Sequence, residues 1–186
     1  MEEIIKAIEE IFSKRNIRYL IIGGLASSIY GKPRMTSDID IILIVEDKNN
    51  IKEILNKFLN YGFKKISSKK LKGFLNGYPL KIKHKNNFSI DLRLAGFSID
   101  FESIENSKRI KFLGSNIFLP KPEDLIVYKL IRFNDVDKFD IKMIALRNKI
   151  NWGYVKDKAK KIENEIKVNI VENLEKIKGE LGIGER

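Results

Sequence analysis

Apolar positions near the start of the chain recur at helical spacing. Ile4, Ile5, Ile8, Ile11 and Phe12 fall on one face, which predicts a helix over Glu2–Lys14. The period then changes. Tyr19-Leu20-Ile21-Ile22 is a short continuous apolar run stopped by Gly23-Gly24, the pattern of a buried strand. Leu25–Tyr30 reads as a brief helix and Gly31-Lys32-Pro33-Arg34 as a loop. From Asp38 to Val45 an Asp-Ile-Asp-Ile alternation gives way to an unbroken apolar run, as in a strand entering a core. Helical spacing returns over Ile51–Leu59. Strands are expected at Phe63–Ser67, Gly73–Leu75, Leu80–Lys83 and Phe88–Leu94, then a helix over Asp100–Ser107 and a last strand over Asn116–Leu119.

Beyond Pro120-Lys121-Pro122 the strand pattern stops. Glu123–Phe133, Val136–Arg147, Trp152–Ile162 and Ile166–Ile177 all carry helical spacing. Pro122 stands at a helix start, with Glu123 and Asp124 in the first turn, where the helix dipole favours acids. Gly182-Ile183-Gly184 is expected to fray. The expected fold class is α+β: a mixed sheet flanked by helices over residues 1–120, followed by a C-terminal helical subdomain over residues 121–186.

Composition narrows the chemistry more than the fold. The 186 residues include no cysteine and one histidine, His84. That excludes a disulfide framework, a thiol nucleophile and thiolate metal sites, and it makes a multi-histidine centre impossible. Catalysis here has to run on carboxylates, amines, hydroxyls and backbone. No apolar run approaches the ~20 residues of a membrane helix, and Met1-Glu2-Glu3-Ile4-Ile5 lacks the basic and apolar regions of a signal peptide. The expectation is a cytoplasmic protein that does not enter a membrane.

Thirty-six Lys and Arg against 25 Asp and Glu give a net charge of +11, a field that concentrates polyanions. The excess is local. Between Tyr61 and Ile90 there is no acid, but there are Lys64, Lys65, Lys69, Lys70, Lys72, Lys81, Lys83 and Lys85. The Lys64–Lys85 region is therefore a candidate surface for RNA, or for a partner protein with acidic patches. Phe63, Phe74, Tyr78 and Phe88 lie among these lysines. They are expected to face the core, His84 to be one more exposed polar residue, and Trp152 to be a packing anchor.

The stretch that carries chemistry is Ile22-Gly23-Gly24, thirteen residues, then Asp38-Ile39-Asp40-Ile41. On a strand, residues i and i+2 share a face about 7 Å apart, so Asp38 and Asp40 aim two carboxylates at one place. Like charges so placed repel unless a cation sits between them, and Mg²⁺ takes a few carboxylates together with phosphate oxygens. Gly23 and Gly24 let the backbone approach a ligand, and the N-terminus of the following helix offers free N–H groups to a phosphate, with Ser27 and Ser28 one turn on. A third carboxylate is available on Phe88–Leu94, where Ser89, Asp91 and Arg93 share the face opposite Phe88, Ile90, Leu92 and Leu94. Asp91 is preferred for this role, with Asp100 as its rival.

Gly23-Gly24…Asp38-Ile39-Asp40 with Asp91 resembles the DNA polymerase β-type nucleotidyltransferase superfamily. The wider stretch Gly23-Gly24-Leu25-Ala26…Tyr30-Gly31…Arg34-Met35-Thr36-Ser37-Asp38-Ile39-Asp40 is similar to its branch of small AbiEii-like toxins from abortive-infection and toxin–antitoxin systems. Pro122-Glu123-Asp124-Leu125…Lys129-Leu130 and Asp137-Lys138-Phe139-Asp140-Ile141 look like the helical motif of that branch, although Val136 stands where the family often has a basic residue. The resemblance implies a nucleotidyltransferase fold and in-line transfer of a nucleoside monophosphate from a nucleoside triphosphate, with release of pyrophosphate. It implies that Asp38, Asp40 and Asp91 hold Mg²⁺ and act in catalysis together with Lys129. It further implies that Gly23, Gly24, Ser27 and Arg34 bind the nucleotide. The acceptor stays open between RNA (a tRNA end, for instance), protein and a small molecule. Two competing readings are a non-catalytic antitoxin or regulatory partner that keeps the fold, and an RNA-binding module that does not use nucleotides.

Overall fold

In the computed structural model, which describes residues 1–47 and 51–183, helix α1 (Glu2–Phe12) buries the stripe expected of it. Glu2 and Glu3 occupy its first turn. A 3₁₀ turn (Ser13–Arg15) and Asn16, in the left-handed region at φ 54°, reverse the chain into β1 (Tyr19–Ile22). Helix α2 (Gly23–Tyr30) and strand β2 (Asp38–Leu43) follow. Next come α3 (Ile51–Asn56), α4 (Ser68–Leu75), β3 (Leu80–Lys83), β4 (Ser89–Leu94) and α5 (Ser98–Glu105). Strands β5 (Lys108–Phe112) and β6 (Ser115–Leu119) precede four helices, α6 (Pro122–Arg132), α7 (Asp135–Arg147), α8 (Trp152–Ile166) and α9 (Ile170–Glu180). This mixed α+β architecture is the fold class read from the pattern.

Four strands form one sheet in the order β1-β2-β4-β3. β1 runs antiparallel to β2, β2 parallel to β4, and β3 antiparallel to β4. The central strands bury Ile39, Ile41, Ile90 and Leu92 on one face and turn Asp38, Asp40, Ser89 and Asp91 to the other. That apolar face packs against α1 and its neighbours, where Phe12 meets Tyr19 and Phe58 ring to ring at 5.4 and 5.5 Å. The remaining pair, β5 and β6, is a hairpin whose two-residue loop, Leu113-Gly114, has both φ values positive (47° and 81°), as a type I′ turn requires. Tyr30 ties α2 to the start of the helical part by donating its hydroxyl to Pro120 O at 2.8 Å. Asn134 and Asn151 cap α7 and α8, their side chains accepting from the amides of Asp137 and Tyr154.

The chain departs from the expected pattern between Phe63 and Leu75. Phe63–Ser67 forms no strand beyond one bridge, Phe63 to His84. Gly73–Leu75 belongs to α4, which Ser67 caps by accepting from Lys70 N. Leu71, Phe74 and Leu75 stand at i, i+3 and i+4, a helical spacing that outweighs the β preference of single residues. β5 was not expected at all, because Lys108, Arg109 and Lys111 face solvent and blur the alternation. His84, expected on the surface, is buried: its Nε2 lies 2.8 Å from Tyr61 O and its Nδ1 accepts from Asn86 N at 3.1 Å, which makes Nε2 the protonated nitrogen. Phe63 and Phe74 join the core, whereas Tyr78 is 69% exposed. Of the expected frayed end, Gly184 lies outside the described residues; Ile183 N–H donates to Lys178 O at 2.9 Å and so closes α9. No helix among the described residues is long and apolar enough to cross a membrane.

Candidate active site

The turn from β1 into α2 is built on Gly23, whose φ of +64° suits glycine. An added Cβ there would lie 1.9 Å from Asp40 Oδ2, and one at Gly24 would lie 3.1 Å from Arg34 Nη2 and Thr36 Oγ1. The glycines thus let Asp40 and Arg34 close onto the first turn of α2, whose leading N–H groups have no partner within the helix. Thr36 Oγ1 donates to Asp38 O at 2.9 Å and fixes the entry into β2.

Register brings the acids together. The parallel pairing of β2 with β4 sets Asp40 opposite Asp91 and Asp38 opposite Ser89, on strands about 4.8 Å apart. On the far side of β4, Lys81 pairs with Asp91 and Lys83 with Ser89. The exposed face therefore carries two ranks, Asp40-Asp91-Lys81 and Asp38-Ser89-Lys83. The Lys81 ammonium reaches Asp91 Oδ2 at 3.1 Å and, diagonally, Asp38 Oδ1 at 3.2 Å. Ser89 Oγ also donates to Asp38 Oδ1. These contacts, that of Ser89 foremost, hold the Asp38 carboxyl below its usual range. Asp40 goes the other way: burial, with the neighbouring Asp91 charge, raises it. Asp91 Oδ1 is buried and has no hydrogen-bond partner.

A second charged cluster forms the opposite wall. Lys129, on α6, is buried and donates to Asp137 Oδ1 at 2.9 Å and Asp140 Oδ2 at 2.8 Å. Arg34 clamps Asp140 from the other side through Nε and Nη2, both at 3.0 Å. That bond is the main reason the Arg34 guanidinium is raised further. Asp140 stays low even though burial opposes it, because Arg34 and Lys129 both bind it. Between the two walls lies a cleft of about 440 Å³ that touches Gly23, Gly24, Asp38, Asp40, Asp91 and Lys129. A larger hollow of about 530 Å³ sits near the start of β1; its charged side chains, Arg18 and Glu46, pair with each other at 3.2 Å. The convergent charge belongs to the cleft.

Seven of the eight residues singled out in the sequence line that cleft: Gly23, Gly24, Arg34, Asp38, Asp40, Asp91 and Lys129. Ser27 does not. It is 2% exposed and its hydroxyl donates back to Gly23 O at 2.9 Å, which removes it from any ligand. Asp100, the rival third acid, is fully buried elsewhere, held by both Nη atoms of Arg93 at 2.7 Å. Sequence reading missed Lys81 as a site residue, although its alternation with Ile82 on an edge strand was the available signal. Arg132 and Asn134 also line the cleft without any local motif.

The carboxylates suit a divalent cation. A cation would partner the orphaned Asp91 oxygen, relieve the Asp91 repulsion that adds to burial in raising Asp40, and displace the Lys81 ammonium. As they stand, no three His, Cys, Asp or Glu side chains among the described residues are gathered closely enough to hold an ion. Two of the acids are drawn to Lys81 instead.

A family model described as nucleotidyltransferase of unknown function (DUF6036) matches residues 1–180. The chain belongs to this nucleotidyltransferase family. It is accordingly an enzyme of nucleotidyl transfer, a class that binds nucleotides and generally uses divalent metals. The match supports the superfamily read from Gly23-Gly24…Asp38-Ile39-Asp40; it does not reach the AbiEii-like branch. No curated protein matches the sequence. Among solved structures, this nucleotidyltransferase is similar to the lincosamide antibiotic adenylyltransferase LnuA, solved with lincomycin bound. The TM-score is 0.52 at 17% identity, over 78% of this chain and 96% of that one. An antigenic nucleotidyltransferase-like protein from Paracoccidioides brasiliensis matches with a TM-score of 0.49 at 17% identity, over 97% of this chain and 86% of that one. At 17% identity the likeness to LnuA is one of fold.

Proposed function

We infer that this nucleotidyltransferase moves a nucleoside monophosphate from a nucleoside triphosphate to an acceptor hydroxyl, on an RNA or tRNA end or on a protein, and releases pyrophosphate. The observation that carries the reading is the β2–β4 register. It stands Asp40 beside Asp91, with Asp38 two residues away, at the rim of a cleft floored by Gly23 and Gly24. Asp38, Asp40 and Asp91 would hold Mg²⁺, which when bound neutralises charge on the transferring phosphate. The Gly23 and Gly24 amides donate to the phosphates at the N-terminus of α2. Lys129 and Arg34 face the same space, but both are engaged by Asp140, so they supply positive potential and fix the wall more than they grip a phosphate. In this reading residues 1–120 form the catalytic core, residues 121–186 form the helical subdomain across the cleft, and the enzyme is cytoplasmic. The AbiEii-like assignment rests on the motif from Gly23 to Asp40 and carries toxin–antitoxin function with it.

One observation favours a second reading, a non-catalytic antitoxin or regulatory partner: Lys81 already neutralises Asp38 and Asp91. Label transfer separates the two. The protein is incubated with Mg²⁺ and each α-phosphate-labelled nucleoside triphosphate, with total RNA and cell protein as acceptors, beside an Asp38→Asn/Asp40→Asn variant. Label that reaches RNA or protein and vanishes in the variant supports the transferase and names the acceptor class. No transfer, with the variant behaving alike, removes the RNA and protein versions and leaves a small-molecule acceptor or the partner reading.

A further inference from the structure

The eight lysines between Lys64 and Lys85 are all exposed, and among the described residues only Lys81 has an acidic partner. Several lysines elsewhere do find an acid, although others, such as Lys108, Lys111, Lys149 and Lys160, have none among the described residues. Lys14 meets Glu10, Lys142 meets Glu180 at 2.6 Å, Lys176 meets Glu172 at 2.6 Å, and Lys158 and Lys161 share Glu102. Seven unpaired ammonium groups on adjoining elements repel one another and offer the folded chain nothing in return.

Their placement follows the site. Edge strand β3 buries Leu80 and Ile82 and turns Lys81 and Lys83 outward at a spacing of about 7 Å. Lys83 pairs with Ser89 on the face that carries the acids. Past the strand end the segment around Gly62–Lys64 lies alongside, with Lys64 N donating to Lys83 O at 2.7 Å and Lys85 N to Gly62 O at 3.0 Å. Lys64 therefore lies beside Lys83, with Lys65 next to it in sequence, and α4, which packs against β3, carries Lys69, Lys70 and Lys72 on exposed positions. Tyr78, two residues before β3, is a large exposed aromatic.

We propose that this face binds a single-stranded polynucleotide whose terminal hydroxyl is delivered past Lys81 to Asp38 and Asp91. A row of unpaired cations with an adjacent exposed ring is what a phosphodiester chain recognises through its backbone and one stacked base. For what happens at the chain end, the proposal rests on the nucleotidyl-transfer reading; for binding it stands alone.

The test is fluorescence anisotropy of a labelled oligouridine about 16 nucleotides long, titrated at several salt concentrations, with an oligothymidine arm and a polyglutamate competitor. No nucleoside triphosphate is present. The wild type is expected to bind with a steep salt slope. Lys64→Gln/Lys65→Gln/Lys83→Gln/Lys85→Gln is expected to weaken binding at least tenfold and to reduce the slope by about 2.8, at about 0.7 per lysine. Lys149→Gln/Lys160→Gln, also exposed, should change neither. All six lysines face solvent, so an unchanged thermal melt confirms that each variant is folded. Tighter binding of RNA than DNA names RNA as the source, and equal binding leaves the polynucleotide proposal standing for both. The proposal is overturned if the wild type does not bind, if the quadruple variant binds as the wild type does, or if polyglutamate displaces the oligonucleotide as well as unlabelled RNA does, which points to an acidic protein. Binding without label transfer would overturn the transferase reading alone. Transfer to another acceptor with no oligonucleotide binding would overturn this surface alone.

Discussion

Replacing Gly23 by alanine tests the geometry of the cleft most directly, because one added carbon meets two separate obstacles. At φ +64° a side chain costs about 1–2 kcal/mol relative to glycine. The Cβ would also lie 1.9 Å from Asp40 Oδ2 and 2.7 Å from its Cγ. To regain ordinary contact the Asp40 carboxylate has to retreat by about 1.5 Å. A misplacement of about 1 Å at a reacting centre is worth about a hundredfold in rate. Backbone strain alone is therefore expected to lower Tm by about 2–8 °C, at about 2–4 °C per kcal/mol for a chain of this size, the Asp40 clash adding to it, and Gly23→Ala should cut initial rates of label transfer about a hundredfold. Gly24→Ala meets Arg34 Nη2 and Thr36 Oγ1 at 3.1 Å and leaves Asp40 in place, so its rate should fall far less. A thermodynamic cycle isolates the clash without any activity: in an Asp40→Ala background, Gly23→Ala should cost only the backbone strain. Equal destabilisation in the two backgrounds, or a Gly23→Ala enzyme within threefold of wild type, would refute the reasoning.

Two further changes probe the charges. Lys81→Met releases Asp38 and Asp91 from an ammonium at 3.2 and 3.1 Å; because these groups are largely solvated, stability should fall by no more than about 1 kcal/mol, while calorimetric titration should show Mg²⁺ binding several-fold more tightly. Weaker Mg²⁺ binding would show that Lys81 assembles the carboxylates and does not compete for them. Asp100→Asn should lower stability by about 3 kcal/mol, since the fully buried carboxylate answers Arg93 twice, the Gly96 and Phe97 amides and the Tyr128 hydroxyl. Burial alone would raise Asp100, but Arg93 and the two amides outweigh it and hold the carboxyl low. The stabilisation is then complete above the unfolded value near 3.9 and is lost as pH falls through the lower folded value. Urea melts of wild type and variant should differ fully at pH 7 and converge in acid; a gap independent of pH would contradict the assignment.

Local pattern was enough for the long elements and for the acid pair, because both are properties of neighbouring residues. Alternation along Asp38–Ile41 shows that two carboxylates share a face, and Gly23-Gly24 marks a sharp turn whatever surrounds it. What surrounds them depends on pairing between distant strands. About fifty residues separate Asp40 from Asp91, and nothing in either segment says that their strands run parallel and in this register. The same reason hid Lys81, which looked like one lysine among eight until β3 was placed beside β4. His84 misled because a histidine in a lysine-rich strand reads as surface, whereas the Tyr61 carbonyl and Asn86 amide satisfy both its nitrogens in the interior. Ser27 misled in another way: hydroxyls early in a helix can bond back to the carbonyl four residues earlier, and this one does.

The acid face is also where the fold gives up stability. Two carboxylates on neighbouring strands about 5 Å apart repel by about 3 kcal/mol at an effective dielectric constant of 20. Asp40 and Asp91 stand in such a register, and this repulsion adds to burial, the larger cause, in raising the Asp40 carboxyl. A neutral side chain at either position would remove the cost and keep the sheet. Lys81 offsets part of the repulsion through contacts to Asp91 and Asp38, while Asp40 has no ion pair among the described residues and is compensated only at a distance by Lys129 and Arg132. The Asp40 carboxylate lies beside Gly23, in the cleft that Gly23 and Gly24 line. A local departure from the most stable arrangement, confined to one cleft, is the kind of place where a fold gives up stability for a site, and the proposed nucleotidyl-transfer reading accounts for it.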